Sequence, residues 1–353
     1  MKSKNLGETL VRRILSLEFI STCLPVPGVS QRHLRIIGSY VSFRLMKDFR
    51  SLRIVFMGTP EFAVASLDAL VKAGCNIVAV ITAPDKPAGR GMQLQQSAVN
   101  KYAVEKGLPV LQPEKLKDPQ FLETLRSLKA DLQVVVAFRM LPEQVWNMPP
   151  MGTINLHGSL LPQYRGAAPI NWAVINGEKE TGPTTFKLKH EIDTGDILLQ
   201  EKFPIGDDDT AGDVHDKMKE IGAQLLVKTV QGLAEGTLKE TPQATREMLR
   251  HAPKIFTDTC KIDWTKTVDE IHNLIRGLSP YPGAFTYVQN KLFKIYRSKK
   301  EYGAPREAPG QYLTDHKTYF KFAASDGYIH ALEVQPEGKK RMSMAEFARG
   351  FRG

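Results

Sequence analysis

The sequence predicts an α/β protein: a mostly parallel sheet with helices on both faces, followed by a small C-terminal β-barrel. Three observations lead there. Between residues 52 and 137, short apolar runs alternate with stretches of helical spacing, as in strands of a parallel sheet joined by helices. From Thr210 to Glu235 the side chains Val214, Met218, Ile221, Leu225, Leu226, Val230 and Leu233 recur at helical intervals, so one long amphipathic helix closes that part. Beyond it, five short runs separated by turns (residues 285–289, 292–297, 310–313, 319–324 and 328–335) read as the strands of a small barrel. The first part is thus Rossmann-like and the last OB-like. The expected division places the first domain at 51–236, a polar linker containing Pro242 and Pro253 at 237–253, and the barrel domain at 254–353.

In order, residues 52–57 form a buried strand, and Gly58-Thr59-Pro60 is a turn opening a helix that runs to about Ala73. Strand 77–82, helix 99–106, strand 110–111, helix 119–128 and strand 132–137 repeat the pattern. The Gly58 turn is not Gly-x-Gly-x-x-Gly and no acidic residue ends the second strand, so a dinucleotide is not expected. Ligands of such sheets bind at the carboxyl ends of the strands, where Gly58, the run from Ala137 to Pro142, and His157 should emerge. The connection at 83–96 is long for its place and sets Pro84, Pro87, Gly89 and Gly91 around Asp85, Lys86 and Arg90, which suits a functional loop.

A length of 353 residues with 42% apolar and 24% charged residues is ordinary for a globular protein of two domains. Cys23, Cys75 and Cys260 are widely spaced, form no metal or redox pattern, and suit a reducing compartment. No apolar run reaches membrane-spanning length. The net charge of +10 is uneven: residues 51–253 hold 22 basic and 24 acidic side chains, residues 254–353 hold 17 and 11. A basic barrel beside a mildly acidic domain suits contact with a phosphate backbone, through Lys291, Lys294, Arg297, Lys299, Lys300, Lys339, Lys340 and Arg341. Residues 1–50 carry nine basic and three acidic side chains and read either as a basic organellar-targeting leader or as an over-extended start, Met46 standing six residues before the first strand. Met1 to Arg50 are expected to be largely disordered or irrelevant to activity.

The stretch from Met151 to Ile197 concentrates the chemistry. Asn155 and His157 stand two apart in an extended run, so both side chains should leave one face of a strand. Gly158, Pro162, Gly166 and Pro169 then shape a rigid loop that presents backbone amides beside them. Asp193 follows in an Asp-Thr-Gly-Asp turn, where a carboxylate can be aimed at an imidazole. An amide donor, an acid/base and a tuning carboxylate suit acyl transfer in which the substrate supplies the nucleophile, and no Ser or Cys stands in the cluster as an attacking group.

Asn-x-His-Gly-Ser-Leu-Leu-Pro at 155–162, Arg-Gly-x-x-Pro at 165–169 and Asp-Thr-Gly-Asp at 193–196 resemble the active-site signature of the folate-dependent formyltransferases. The runs 52–63 and 84–91 are similar to those of the members that formylate methionyl-tRNA, and the resemblance covers about residues 52–350. It implies transfer of the formyl group of 10-formyltetrahydrofolate to the α-amine of methionyl-tRNA for translation initiation, by a cytoplasmic bacterial monomer that needs no metal, NAD or membrane. Carried over, Asn155 and protonated His157 donate to the oxyanion, and Asp193 keeps His157 charged and helps move the amine proton. The folate would lie against Val136, Ala137, Phe138, Arg139, Met140 and Leu141 and the loop Ser159, Leu160, Leu161 and Pro162, its pterin held largely by backbone groups. Arg90, with Lys86, would meet the acceptor stem, although Met92-Gln93-Leu94-Gln95 stands where the family often places further lysines. The alternatives are a formyltransferase acting on a small amine (glycinamide ribonucleotide or an amino sugar) and a non-catalytic RNA-binding protein on this scaffold. The basic barrel and Arg90 loop speak against the first, the intact Asn155, His157 and Asp193 against the second.

Overall fold

The structure, a computed structural model, describes residues 48–88, 93–244 and 248–351. The expectations for the leader up to residue 47 and for Arg90 lie outside the described residues. The described chain opens on a 3-10 turn, Phe49–Ser51, capped by the Asp48 carboxylate, which accepts the Arg50 amide.

The chain then runs through β1 (Arg53–Gly58), α1 (Glu61–Lys72), β2 (Asn76–Ile81), β3 (Lys86–Ala88), β4 (Gln93–Gln95), α2 (Ala98–Glu105), β5 (Val110–Leu111), α3 (Pro119–Ser127), β6 (Leu132–Val136), α4 (Glu143–Trp146) and β7 (Thr153–His157). After these come β8 (Arg165–Gly166), α5 (Pro169–Ile175), β9 (Glu180–Thr181), β10 (Thr184–Lys187), β11 (Ile197–Gln200), β12 (Phe203–Pro204) and α6 (Ala211–Glu235). Seven of the strands form one sheet in the order β11-β10-β7-β6-β1-β2-β5, parallel from β7 to β5 and antiparallel at β10 and β11. Within the long connection seen in the sequence, β3 pairs antiparallel with β4.

Alternation along β1 shows why both faces are covered. Ile54 and Phe56 pack with Leu67 and Leu70 of α1 and Leu226 and Val230 of α6, whereas Val55 and Met57 pack with Phe121 and Leu125 of α3 and Val145 of α4. Each such fully buried side chain contributes on the order of 1.5–3 kcal/mol. The Thr210 side chain and Asp213 form a capping box at the start of α6, and Gly236 at φ +66 ends it.

The C-terminal part comprises β13 (His251–Ala252), α7 (Val268–Gly277), β14 (Ala284–Val288), β15 (Lys291–Tyr302), β16 (Tyr312–Thr314), β17 (Phe320–Ala323), β18 (Gly327–Pro336), β19 (Met342–Ser343) and α8 (Met344–Gly350). Its antiparallel, OB-like sheet has the order β14-β15-β18-β17-β16, with β19 on β18. Two register shifts between Ile295 and Ser298 bend β15, which lets the sheet curl around Phe293, Phe320 and Phe322, with Trp264 stacked on Phe322 at 4.5 Å. β15 runs past the expected end at 297, and α8 was not anticipated, although Ser343 and Glu346 spell its capping box. α7 fixes this sheet to the first part: Arg276 Nη1 donates to the Gly206 and Asp209 carbonyls at 3.2 and 3.0 Å, and Asn171 Nδ2 donates to the Gly277 carbonyl at 2.8 Å.

Candidate active site

β7 carries the first two groups. Ile154 and Leu156 are sealed in the core with α1 and α6, so Thr153, Asn155 and His157 share the opposite face. Among the described residues the half-buried Asn155 carboxamide makes no hydrogen bond to protein. His157 is buried, with the Phe186 ring edge-on at 6.5 Å.

The loop after β7 is held by its own polar groups. Ser159 Oγ donates to the Gln163 carbonyl at 2.7 Å, while Thr184 Oγ1 donates to the Ser159 carbonyl at 2.6 Å and accepts the Leu161 amide at 3.1 Å. Leu161 is buried, Leu160 and Pro162 half-buried. Tyr164, at φ +60, turns its carbonyl onto His157 Nε2 at 2.9 Å. A carbonyl can only accept, so Nε2 carries the hydrogen and Nδ1 is the variable nitrogen. The Tyr164 hydroxyl is pinned as well, donating to Glu178 Oε1 at 2.5 Å and accepting Asn176 Nδ2 and Arg250 Nη1 at 3.2 and 3.3 Å. Burial, and next the bond to Glu178, push the phenol above its ordinary pKa, which keeps it a donor.

Asp193, at φ +55, brings Oδ2 to 3.8 Å from His157 Nδ1, and the same oxygen accepts the Gly166 amide at 3.0 Å. The carboxylate therefore faces Nδ1, while the Tyr164 carbonyl holds the hydrogen on Nε2. Gly195 makes the turn possible: a Cβ there would lie 1.5 Å from the Lys187 carbonyl oxygen.

The segment read as a plain linker does more than connect. Thr241 exchanges backbone hydrogen bonds with Ile197 at 2.8 and 2.9 Å, and β13 lies parallel to β8, with the Ala252 carbonyl accepting the Ala167 amide at 2.7 Å. Arg250 Nη1 reaches Glu178 at 2.6 Å, and Gln243 bridges Arg165 and the Asp193 turn. Tyr164, Arg165, Glu178, Gln243 and Arg250 were not singled out from the sequence as site residues. Only Arg165 carried a signal there, as the Arg of Arg-Gly-x-x-Pro.

Beyond β6 the backbone leaves regular structure, with Ala137 at φ +47. Among the described residues the amides of Phe138, Arg139, Met140 and Leu141 make no hydrogen bond, and Met140 is 74% exposed. The Arg139 guanidinium is spent on the Pro113 and Glu114 carbonyls and lies over the Phe138 ring, and its partial burial lowers its pKa. Open backbone amides of this kind can receive the acceptors of a planar ring edge.

The basic candidates divide. Arg341 makes two bonds to Glu333 at 2.6 and 2.7 Å and covers Tyr296, and Arg297 approaches the same carboxylate at 3.8 Å. Lys294 donates to the Pro282 carbonyl at 2.9 Å and Lys300 to Asp269 at 2.6 Å. Lys86, Lys291, Lys299, Lys339 and Lys340 are exposed and, among the described residues, make no ion pair. The Leu292–Glu337 backbone bond at 2.9 Å brings Lys291, Lys339 and Lys340 to one end of the sheet. Among the described residues no helix is long and apolar enough to cross a membrane, and no group of three or more His, Cys, Asp or Glu could hold a metal ion.

Residues 52–230 match the family model described as formyl transferase, and residues 254–352 match its C-terminal domain model. The chain belongs to the formyl transferase family. The methionyl-tRNA formyltransferase of Parabacteroides distasonis is 56% identical to this formyltransferase over 311 residues, 85% of this chain and 96% of the relative. That of Bacteroides fragilis is 54% identical over 308 residues, 85% and 95% of the two chains. Among solved structures, the N-formyltransferase of Helicobacter canadensis in complex with folinic acid and dTDP-3-aminofucose superposes with a TM-score of 0.62 at 25% identity, covering 81% of this chain and 99% of that one. HypX of Aquifex aeolicus in complex with tetrahydrofolic acid gives a TM-score of 0.58 at 17% identity, covering 84% and 47%. The Rossmann-like sheet and OB-like C-terminal sheet expected from the sequence are thus the architecture of this formyltransferase.

Proposed function

We propose that this formyltransferase moves the formyl group of 10-formyltetrahydrofolate to the α-amine of methionyl-tRNA, giving formylmethionyl-tRNA for translation initiation. The observation that carries the reading is identity above 50% to proteins of that name over nearly their whole length. The sugar-bound neighbour is far more distant in sequence. Bacterial relatives support a cytoplasmic bacterial setting, and the protein is proposed to act as a monomer. The proposed division is catalytic domain 51–236, connecting segment 237–253 and tRNA-binding barrel 254–353.

The folate supplies a formyl group on N10. The open backbone of residues 138–141 would hold its pterin, and the Ser159–Pro162 loop would form the opposite edge. The methionyl amine adds to the formyl carbon, and the carbonyl oxygen becomes an oxyanion. The Asn155 amide is free to donate to that oxygen. With Nε2 of His157 committed to Tyr164, Nδ1 is the nitrogen that would carry the second proton of an imidazolium and donate it to the oxyanion. Asp193 faces that nitrogen from 3.8 Å, stabilises the imidazolium, and helps pass the amine proton to N10 as the carbon–N10 bond breaks. Lys86, Arg90, Lys291, Lys339 and Lys340 would meet tRNA phosphates, while Lys294, Arg297 and Arg341 stabilise the barrel and touch tRNA only by giving up present partners.

Incubation with 10-formyltetrahydrofolate and methionyl-tRNA should give formylmethionine. Glycinamide ribonucleotide and a dTDP-amino sugar, assayed alongside, should remain unformylated. Formylation of either in place of methionyl-tRNA, or wild-type rates from His157→Ala, refutes the reading.

A further inference from the structure

One carboxamide of the connecting segment is inserted between the two pieces of chain that carry the reacting groups. Gln243 is half-buried although Thr241, Pro242 and Ala244 beside it are exposed. Its Nε2 donates to the carbonyls of Asp193 and Gly195, both at 2.8 Å, and its Oε1 accepts Arg165 Nε and Nη2 at 3.0 and 2.5 Å. Two donors and two lone pairs are all that a primary amide has, so its hydrogen-bonding capacity is filled.

The positions of those partners give the bond set its meaning. Arg165 lies between Tyr164, whose carbonyl fixes His157, and Gly166, whose amide fixes Asp193 Oδ2. Asp193 and Gly195 bracket the turn that aims the carboxylate. Asp193 occupies the left-handed region that a side chain ordinarily avoids, a conformation that persists only when its surroundings over-determine it. The two carbonyls of that turn point the same way and need a double donor facing them. A glutamine meets that need while its oxygen holds the guanidinium on the other side.

We propose that Gln243 is a positioning residue for formyl transfer, locking the Asp193 turn to the loop that holds His157. The role rests on the formyl-transfer reading of the site. Because Gln243 lies on the segment leading to the barrel, the same bonds tie the approach of the tRNA-binding part to the geometry of the reacting groups.

The test compares the full-length protein with Gln243→Ala and Gln243→Glu in methionyl-tRNA formylation, with thermal melting on each. Both variants should lose at least about tenfold in kcat while KM for either substrate stays within about twofold and the melting midpoint is preserved. Glutamate is the informative change: its carboxylate keeps Arg165 but offers no N–H to the two carbonyls, so it should fail as alanine does. In an Asp193→Ala background, followed at single turnover, Gln243→Ala should add less than about twofold, since its effect passes through Asp193. Wild-type kcat in either variant, a loss that tracks loss of folded protein, or full additivity with Asp193→Ala overturns the proposal. A wild-type protein that formylates nothing overturns instead the reading of the site.

Discussion

His157 Nε2 donates to the main-chain carbonyl of Tyr164 at 2.9 Å, which commits one side of the imidazole and leaves Nδ1 as the nitrogen that faces Asp193. The carbonyl comes from the backbone, so no substitution at position 164 deletes it. The residues that aim it can be changed.

Tyr164→Phe should separate the two roles of that residue. Loss of the hydroxyl that joins Glu178, Asn176 and Arg250 should cost about 1 kcal/mol of stability, read by urea denaturation, with kcat reduced far less than in His157→Ala.

Asn155→Ala removes a donor and no core packing, so formylation should fall by about 10²–10³-fold with an unchanged melting curve. Retained turnover would mean that the oxyanion is met by other donors.

Gly195→Ala should behave differently from both. The added methyl would fall on the Lys187 carbonyl, so the turn must deform, at a cost above about 2 kcal/mol, and activity should drop together with stability. Circular-dichroism melting and initial rates measured on one preparation would check this.

His272 on α7 is buried, with Nδ1 at 3.0 Å from Ser298 Oγ and Nε2 near the Asp207 carbonyl at 3.3 Å. Burial first of all, helped by the Lys300 and Arg276 charges and opposed by the Asp207 carbonyl bond and Asp208, holds its pKa below the ordinary value. The unfolded chain therefore takes up the proton more readily. Stability from this group is present above about pH 6.5 and is lost as pH falls through the lowered folded value. The melting midpoint should drop from pH 7.5 to 5.5, and less so in His272→Gln.

The basic residues should separate by salt response. Lys291→Ala, Lys339→Ala and Lys340→Ala combined should raise KM for tRNA, leave KM for folate unchanged, and lower the salt slope of binding by about one for each phosphate no longer neutralised. Arg341→Ala should instead destabilise the barrel, because it removes both close hydrogen bonds to Glu333 and uncovers Tyr296.

Local pattern was enough to determine several features. Alternation placed β1, β2 and β6, helical spacing placed α6 to its last residue, and the Asn155–His157 interval put two polar groups on one strand face. These depend on neighbours along the chain, which a periodic pattern records. Tertiary structure alone decided that Tyr164 O meets His157 and that Gln243, 50 positions beyond Asp193, completes its turn. It also decided which arginines are spent on Glu333. Such pairings join residues with no fixed spacing, through single hydrogen bonds that leave no repeat in the sequence. A polar, proline-containing stretch looks the same whether it hangs in solvent or is strapped across a catalytic loop, and only the folded chain shows where its donors and acceptors go.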